Sequence, residues 1–298
     1  MSFFPTEDTK AALPFGRGHR SETWSLRTGV IFAILCVLAV MFLFPFFWII
    51  SSALQTTQQQ QSLPLTWMPT TPQWHNFAVA WNTLPFTGYL LNSMVIVVFA
   101  TLGAVSSAAW CAYGFARLKF AGRRVWFYLT LSTMMLPGTL TMIPVYLIMK
   151  DIGWLNTYYP LIIPAWFGGG AFNIFLLHQF MKGIPVELEE AARIDGASTA
   201  RIFTRIVVPN IKPALAVVTW MTALGTWGDI LGPLVYISSS SRWTFAQALQ
   251  EFPGSMPTGW GSQLEMAIAL VFMIPVIAGF FFMQKWLIEG IQLTGVNR

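Results

Sequence analysis

The sequence predicts an all-α integral membrane protein with six transmembrane helices, cytoplasmic termini and one cytoplasmic helical elbow. Three observations predict this fold class. Hydrophobic residues form 55% of the 298 positions and charged residues only 10%, whereas a soluble domain carries about 25% charged residues. Six apolar stretches are long enough to cross a bilayer, which takes about 20 mainly apolar residues in a helix. The basic residues lie almost entirely on one side of these stretches.

The apolar stretches define the predicted spans. In chain order they cover residues 28–50, about 86–112, 125–149, about 158–181, about 211–237 and about 266–287. The third span carries no charged residue, and the fifth carries one, Asp229. Prolines lie within or at the ends of several spans, where neighbouring helices must satisfy the freed backbone groups. We therefore expect one six-span domain over residues 28–288.

Lysine and arginine predict the orientation of this domain. With the N-terminus inside, 15 of the 17 Lys and Arg residues fall on cytoplasmic segments, and only Lys150 and Arg242 fall outside. Residues 1–27 and 289–298 are therefore predicted to be cytoplasmic tails. The net charge of +5 then reflects topology, so a nucleic-acid partner is not expected. The uncharged outer loop, residues 51–85, is either a polar spacer or a surface that contacts a partner or a sugar.

Small residues indicate close helix packing inside the membrane. Ala104, Ala108, Ala112 and Ala116 recur every four residues in the second span, and such spacing lets helix backbones approach closely in lipid. The glycine-rich segment at residues 167–173 lacks the Lys-Ser/Thr pair of a phosphate loop, so we interpret it as another packing element.

The cytoplasmic segment over residues 182–210, called the elbow below, is far more charged than its surroundings. Its sequence predicts a helix, a glycine turn at Gly196 and a second helix. The signals that begin and end these helices are Pro185, the acidic first turns at Glu187, Glu189 and Glu190, a cap at Ser198 or Thr199, and Pro209.

The elbow is amphipathic, which leaves two interpretations. An amphipathic hairpin lying on the membrane surface is one of them, but such hairpins carry mainly Lys and Arg on their polar face. Here Glu187, Glu189, Glu190 and Asp195 lie near the turn, and they would be repelled by anionic lipid. A protein partner therefore fits the elbow better.

The elbow residues resemble the EAA motif, EAA-x3-G-x9-I-x-L-P, of the membrane subunits of bacterial ABC importers. The matching positions are Glu190, Ala191, Ala192, Gly196, Ile206 and Pro209, and Val208 stands where leucine is usual. The similarity extends from about residue 27 to residue 295 and is greatest to the carbohydrate-uptake branch, typified by the second maltose permease subunit. The C-terminal EGIQLTGVNR departs from that type.

The resemblance implies a mechanism and a set of partners. It makes the elbow a coupling helix that docks on a cytosolic ATPase, with alternating access to a central cavity. The implied coupling residues are Glu190, Ala191, Ala192, Arg193, Asp195, Gly196, Ile206 and Pro209. The implied partners are two ATPase subunits that hold ATP and Mg, a second and non-identical permease, an extracytoplasmic solute-binding protein and a carbohydrate. The implied location is the bacterial inner membrane.

The chain shows no sequence pattern for chemistry of its own. It contains neither a GxxxxGK[ST] phosphate loop nor an HExxH motif, and its three histidines fall in different compartments of the predicted topology. We therefore expect no enzyme activity, no metal site and no bound cofactor. Candidate residues of a substrate path are Asp229, Trp227 and Asn173, although Asp229 could equally form a helix-to-helix hydrogen bond and Trp227 could simply pack.

An ion- or proton-coupled secondary transporter is the main alternative function. Such a carrier needs ionisable groups within its spans, and Asp229 is nearly alone there. A carrier also has no use for a docking elbow. An intramembrane enzyme is disfavoured because the chain lacks a catalytic constellation.

Overall fold

The computed structural model describes residues 26–255 and 262–295, and the regular elements in this part of the chain are all helical. The predicted tail at residues 1–27 lies almost wholly outside the described residues, whereas most of residues 289–298 continue the last helix. The α-helices are α1 (Leu26–Ala53), α2 (Thr57–Gln60), α3 (His75–Thr83), α4 (Phe86–Arg117), α5 (Arg123–Ser132), α6 (Gly138–Asp151), α7 (Tyr159–Ile162), α8 (Ala171–Lys182), α9 (Glu187–Ile194), α10 (Thr199–Ile202), α11 (Val208–Asn210), α12 (Lys212–Trp227), α13 (Leu231–Tyr236), α14 (Phe245–Ser255) and α15 (Gln263–Gly295). Short 3-10 turns cover Thr133–Met135, Ile163–Trp166 and Ser240–Arg242, and a π-helical turn covers Phe203–Val207.

The chain divides into two compact units between Phe47 and Trp48. In the first unit, the described residues form the N-terminal part of α1. Its large apolar side chains from Val30 to Phe44 are exposed, which suits a helix surrounded by lipid. The second unit holds the remaining helices and both hydrophobic clusters described below.

Four helical segments are long and apolar enough to cross a membrane, and two bent helix pairs raise the number to six. The four are Thr28–Ala53, Phe86–Arg117, Tyr159–Lys182 and Gln263–Trp286. The first bent pair, with an angle of 100°, covers the predicted third span. The second, with an angle of 82°, joins residues 199–210 of the predicted elbow to the first part of the predicted fifth span. The all-helical membrane class is thus confirmed, with four to six candidate spans among the described residues.

Prolines account for the two bends. In the third span, Leu136 adopts extended backbone, because the ring of Pro137 disfavours helical backbone at the preceding residue. In the fifth, Ile211 leaves helical geometry just before Pro213, which lies in the first turn of α12. Helix α12 ends at Trp227, so the predicted span to residue 237 is completed by the separate helix α13.

The glycine-rich segment of the fourth span is a close-packed break. Gly168, Gly169 and Gly170 have φ values of 106°, 65° and 89°, which are readily adopted only by glycine. A Cβ atom on Gly169 would overlap the carbonyl oxygen of Ala104 on α4. The predicted packing role of this segment is therefore confirmed.

Two hydrophobic clusters stabilise the second unit. One lies between α4, α8, α12 and the elbow, and the other joins α3, α4, α14 and α15. The alanine row of α4 is buried at Ala104, Ala108 and Ala112, so small side chains allow α4 to lie close to α8. Helix α4 thus contributes to both clusters.

Candidate functional site

The elbow has the predicted helix–glycine–helix form. Helix α9 is its first arm, and the continuous helical run over residues 199–210 is its second arm. Gly196 between them has φ of 79°, the left-handed conformation that ends many helices. Ser198 begins the second arm, and its Oγ accepts a hydrogen bond from the Arg201 N–H at 3.3 Å. Pro209 lies inside the second arm rather than at its end, since the run reaches Asn210.

The two arms differ sharply in burial. Ile202, Phe203 and Val207 of the second arm are buried in the cluster with α4, α8 and α12. The Phe203 ring lies 4.0 Å from the Trp110 ring and 5.1 Å from the Tyr113 ring, measured between centroids. The second arm is thus part of the helical core.

The first arm is almost entirely exposed. Glu189 is its only buried side chain, and Ile194 is 87% exposed although it is apolar. Most of the predicted coupling residues lie on or beside this arm. Glu190, Ala191, Arg193, Asp195 and Gly196 are exposed, and Ala192 is half-buried.

The remaining two predicted coupling residues belong to the second arm. Ile206 is half-buried against the cluster, whereas Pro209 is exposed. The structure therefore brings six of the eight residues together around the turn. Ile206 lies on the second arm, which packs against the hydrophobic cluster.

Sequence reasoning did not single out the buried ion pair beneath the first arm. Glu189 Oε1 lies 2.8 Å from Arg117 Nε at the end of α4, and the two side chains are 3% and 7% exposed. Arg117 Nη2 also donates hydrogen bonds to the carbonyl oxygens of Met181 at 2.5 Å and Ile184 at 2.6 Å. The sequence shows three glutamates close together, Glu187, Glu189 and Glu190, and it does not reveal which of their carboxylates faces the core.

Asp229 lines a cavity of about 210 Å³ between α4, α12 and α13. The cavity is lined by Ser93, Ile96, Leu161, Gly225, Thr226, Asp229, Pro233 and Thr244. Asp229 Oδ1 accepts a hydrogen bond from the Gly232 N–H at 3.1 Å, so the carboxylate satisfies a backbone donor in the first turn of α13. The hydrogen bond that Asp229 makes is local and does not join two packed helices, and its role in a substrate path stays a prediction.

The structure separates the other two candidate path residues from this cavity. Trp227 is 5% exposed and packs on α15, where its Nε1 donates to the Phe272 carbonyl oxygen at 3.3 Å. Asn173 Nδ2 donates to Gly169 O at 2.8 Å and to Thr222 Oγ1 at 3.1 Å, which joins α8 to α12. The three residues therefore do not form one site in this structure.

Comparison with protein families decides the class of the chain. Residues 104–292 match the model of the binding-protein-dependent transport system inner membrane component. The chain belongs to this family. As an inner membrane component it is the non-catalytic permease subunit of an ATP-driven importer, and it is not a secondary transporter.

Individual relatives and a solved structure resemble this inner membrane component along most of its length. A diacetylchitobiose uptake system permease protein of Streptomyces coelicolor is 29% identical over 85% of this chain and 83% of the relative. An sn-glycerol-3-phosphate transport system permease protein of Yersinia enterocolitica is 31% identical over 87% of this chain and 93% of the relative. A bacterial ABC transporter involved in the import of the acidic polysaccharide alginate superposes with a TM-score of 0.75 at 25% identity, over 87% of this chain and 96% of that chain.

Proposed function

We propose that this chain is a carbohydrate-importer permease whose elbow docks on a cytosolic ATPase and passes its movement to the membrane helices. The observation that carries the proposal is the contrast between the two arms. The exposed first arm presents the Glu190 carboxylate and the Ile194 side chain to a groove of a partner. The buried second arm connects the elbow to the helical core and can transmit force to it. Packed interiors transmit strain because they are dense and poorly compressible.

The docking contact centres on Glu190. Its carboxylate is exposed and would pair with a basic side chain of the ATPase, since charge-assisted contacts are the stronger hydrogen bonds. Ala191 and Gly196 leave room for a close approach, and Ile194 supplies apolar area. ATP-driven closure of two ATPase subunits would then rock the spans and alternate access to the central path.

The proposed orientation has the elbow and both termini in the cytosol. Counting the pair Arg123–Asp151 as one crossing, and α12 with α13 as another, gives six spans with residues 199–210 left in the elbow, and an even number returns the chain to the side where it began. The distribution of Lys and Arg supports the same orientation. ATP and Mg would be held by the ATPase subunits, beside a non-identical second permease and an extracytoplasmic solute-binding protein.

The cavity beside Asp229 favours an uncharged, hydroxyl-rich substrate. Ser93, Thr226 and Thr244 line it with hydroxyl groups, and its lining contains one carboxylate and no Lys or Arg. A carboxylate accepts hydrogen bonds from sugar hydroxyls but repels a phosphate or a uronate. We therefore propose a neutral oligosaccharide, as the diacetylchitobiose relative's name suggests, rather than an anion such as sn-glycerol 3-phosphate.

Vesicles that contain both permeases and the ATPases, with the binding protein outside, test this function. Uptake of a radiolabelled neutral oligosaccharide should require internal ATP and persist when the proton gradient is collapsed. Diacetylchitobiose serves as the neutral probe and sn-glycerol 3-phosphate as the anionic comparison. Uptake driven by the proton gradient without ATP would contradict the proposal, and preferential uptake of the phosphate would contradict the substrate class.

A further inference from the structure

The first arm of the elbow is attached to the helical core in an unusual way. Its one fully buried side chain is the carboxylate of Glu189, which is 3% exposed, and its apolar contact with the cluster comes from the half-buried Ala192. Glu187 on one side and Glu190 on the other are exposed. The second arm, in contrast, is held by the buried apolar side chains of Ile202, Phe203 and Val207.

One guanidinium joins three helices at this point. Arg117 is the last residue of α4, and its Nε lies 2.8 Å from Glu189 Oε1 on α9. Its Nη2 donates to Met181 O in the last turn of α8 and to Ile184 O just beyond it. The last carbonyl groups of a helix lack a full set of partners within the helix, and Arg117 adds a side-chain donor to the backbone N–H of Ile184 that the Met181 oxygen already accepts.

The geometry restricts rotation of the first arm. A planar guanidinium whose Nε contacts a carboxylate and whose Nη2 donates to two carbonyl oxygens has little freedom to turn. Tyr113, one helical turn earlier on α4, lies 3.5 Å from the second carboxylate oxygen and can donate its hydroxyl hydrogen to it. Glu189 Oε1 therefore contacts α4 closely, whereas its Oε2 makes only a long contact with α4.

We propose that the Arg117–Glu189 pair is a positioning joint that makes α9 move with α4 and α8 as one body. This inference rests on the proposed function, because it concerns how movement of a docked ATPase reaches the spans. Glu190 contacts the ATPase and Glu189 fixes the angle at which Glu190 is presented. Without the joint, α9 would be held by the short segment 183–186 and by the half-buried Ala192, and part of the ATPase movement would be lost there.

The joint is tested in the assembled importer by electron paramagnetic resonance between two nitroxide labels. The labels are placed at Leu188→Cys on α9 and Leu102→Cys on α4, both partly exposed, after the native Cys36 and Cys111 are replaced by serine. In the parent complex the label distance should be narrow and equal in the nucleotide-free and vanadate-trapped states. In Glu189→Gln it should broaden and differ between the two states.

Two further readouts separate a joint from a merely structural residue. Glu189→Gln should co-purify with the ATPase subunits at the parent level, because Glu190 is untouched. Its ATP hydrolysis stimulated by the binding protein should nevertheless fall by roughly 2- to 30-fold, the range found for residues that carry coupling between sites. A narrow, state-independent label distance in Glu189→Gln overturns the proposal.

A double variant covers the case in which Glu189→Gln does not fold. Arg117→Met combined with Glu189→Met removes both charges, so neither is left buried without a partner. The joint predicts a broad label distance in this variant, whereas a narrow one shows that packing alone holds α9. If Glu190→Ala leaves ATPase recruitment unchanged, the docking proposal fails, yet the label distances still decide the role of Glu189.

Discussion

Trp227 at the end of α12 stacks on Phe272 of α15, with ring centroids 5.1 Å apart and planes inclined by 21°. The Trp227 Nε1–H donates to the carbonyl oxygen of the same phenylalanine at 3.3 Å. The tryptophan is therefore a packing residue that fastens α12 to α15, and its neighbour Asp229 is the one that reaches the cavity. Two residues close in sequence thus have different surroundings, since Trp227 lies in the helical core and Asp229 lines the cavity.

Substitution of Trp227 should separate packing from substrate contact. Trp227→Phe keeps a stacked ring and loses one hydrogen bond, which is worth about 1 kcal/mol. Trp227→Ala removes the ring from a site that is 5% exposed and should destabilise the protein by about 3–5 kcal/mol. Thermal unfolding in detergent measures both, and uptake by Trp227→Phe should stay at the parent level. A loss of uptake in that variant at unchanged stability would instead place Trp227 in the path.

Two glycines of α4 provide a matched test of close packing. A Cβ atom on Gly103 would overlap the Trp166 ring, whereas a Cβ atom on Gly114 meets no atom within 4 Å. Gly103→Ala should lower stability by about 1–3 kcal/mol, because overpacking forces neighbours to move. Gly114→Ala should be neutral or stabilising by up to about 1 kcal/mol through its higher helix propensity. Equal melting temperatures for the two variants would contradict this prediction and show that the Trp166 ring moves aside without loss of stability.

Asp229→Asn tests the electrostatic character of the cavity. The amide oxygen can still accept the Gly232 N–H, so the start of α13 should be preserved. A weaker acceptor should cost about 1 kcal/mol with a neutral sugar, which is roughly a fivefold increase in the apparent KM of uptake. Competition by an anionic substrate should become stronger because the repelling charge is gone. An unchanged KM together with unchanged anion competition would remove Asp229 from the path.

The sequence predicted the features that depend on local pattern. Long apolar runs defined the spans, and the left-handed turn at Gly196 followed from the residue types around it. The break near Ile211 was predicted by Pro209, whereas the 100° bend at Pro137 within the third span was not, because hydropathy reports the length of a span and not its direction. The inward position of Glu189 was also missed, since it depends on where Arg117 ends α4, 72 residues earlier in the chain. The separation of Asn173 and Trp227 from Asp229 likewise depends on packing between distant helices.

The proposed docking of the ATPase on the exposed arm of the elbow depends on Glu190. Glu187 is the matched control, because it is an exposed glutamate on the same helix and lies outside the EAA motif. The decisive measurement is the amount of ATPase that co-purifies with each variant from membranes, normalised to the permease. Glu190→Ala should lose most of the ATPase while inserting normally, since unpairing a desolvated charge costs about 3–5 kcal/mol, and Glu187→Ala should retain it. Equal recovery of the ATPase with both variants would contradict the account.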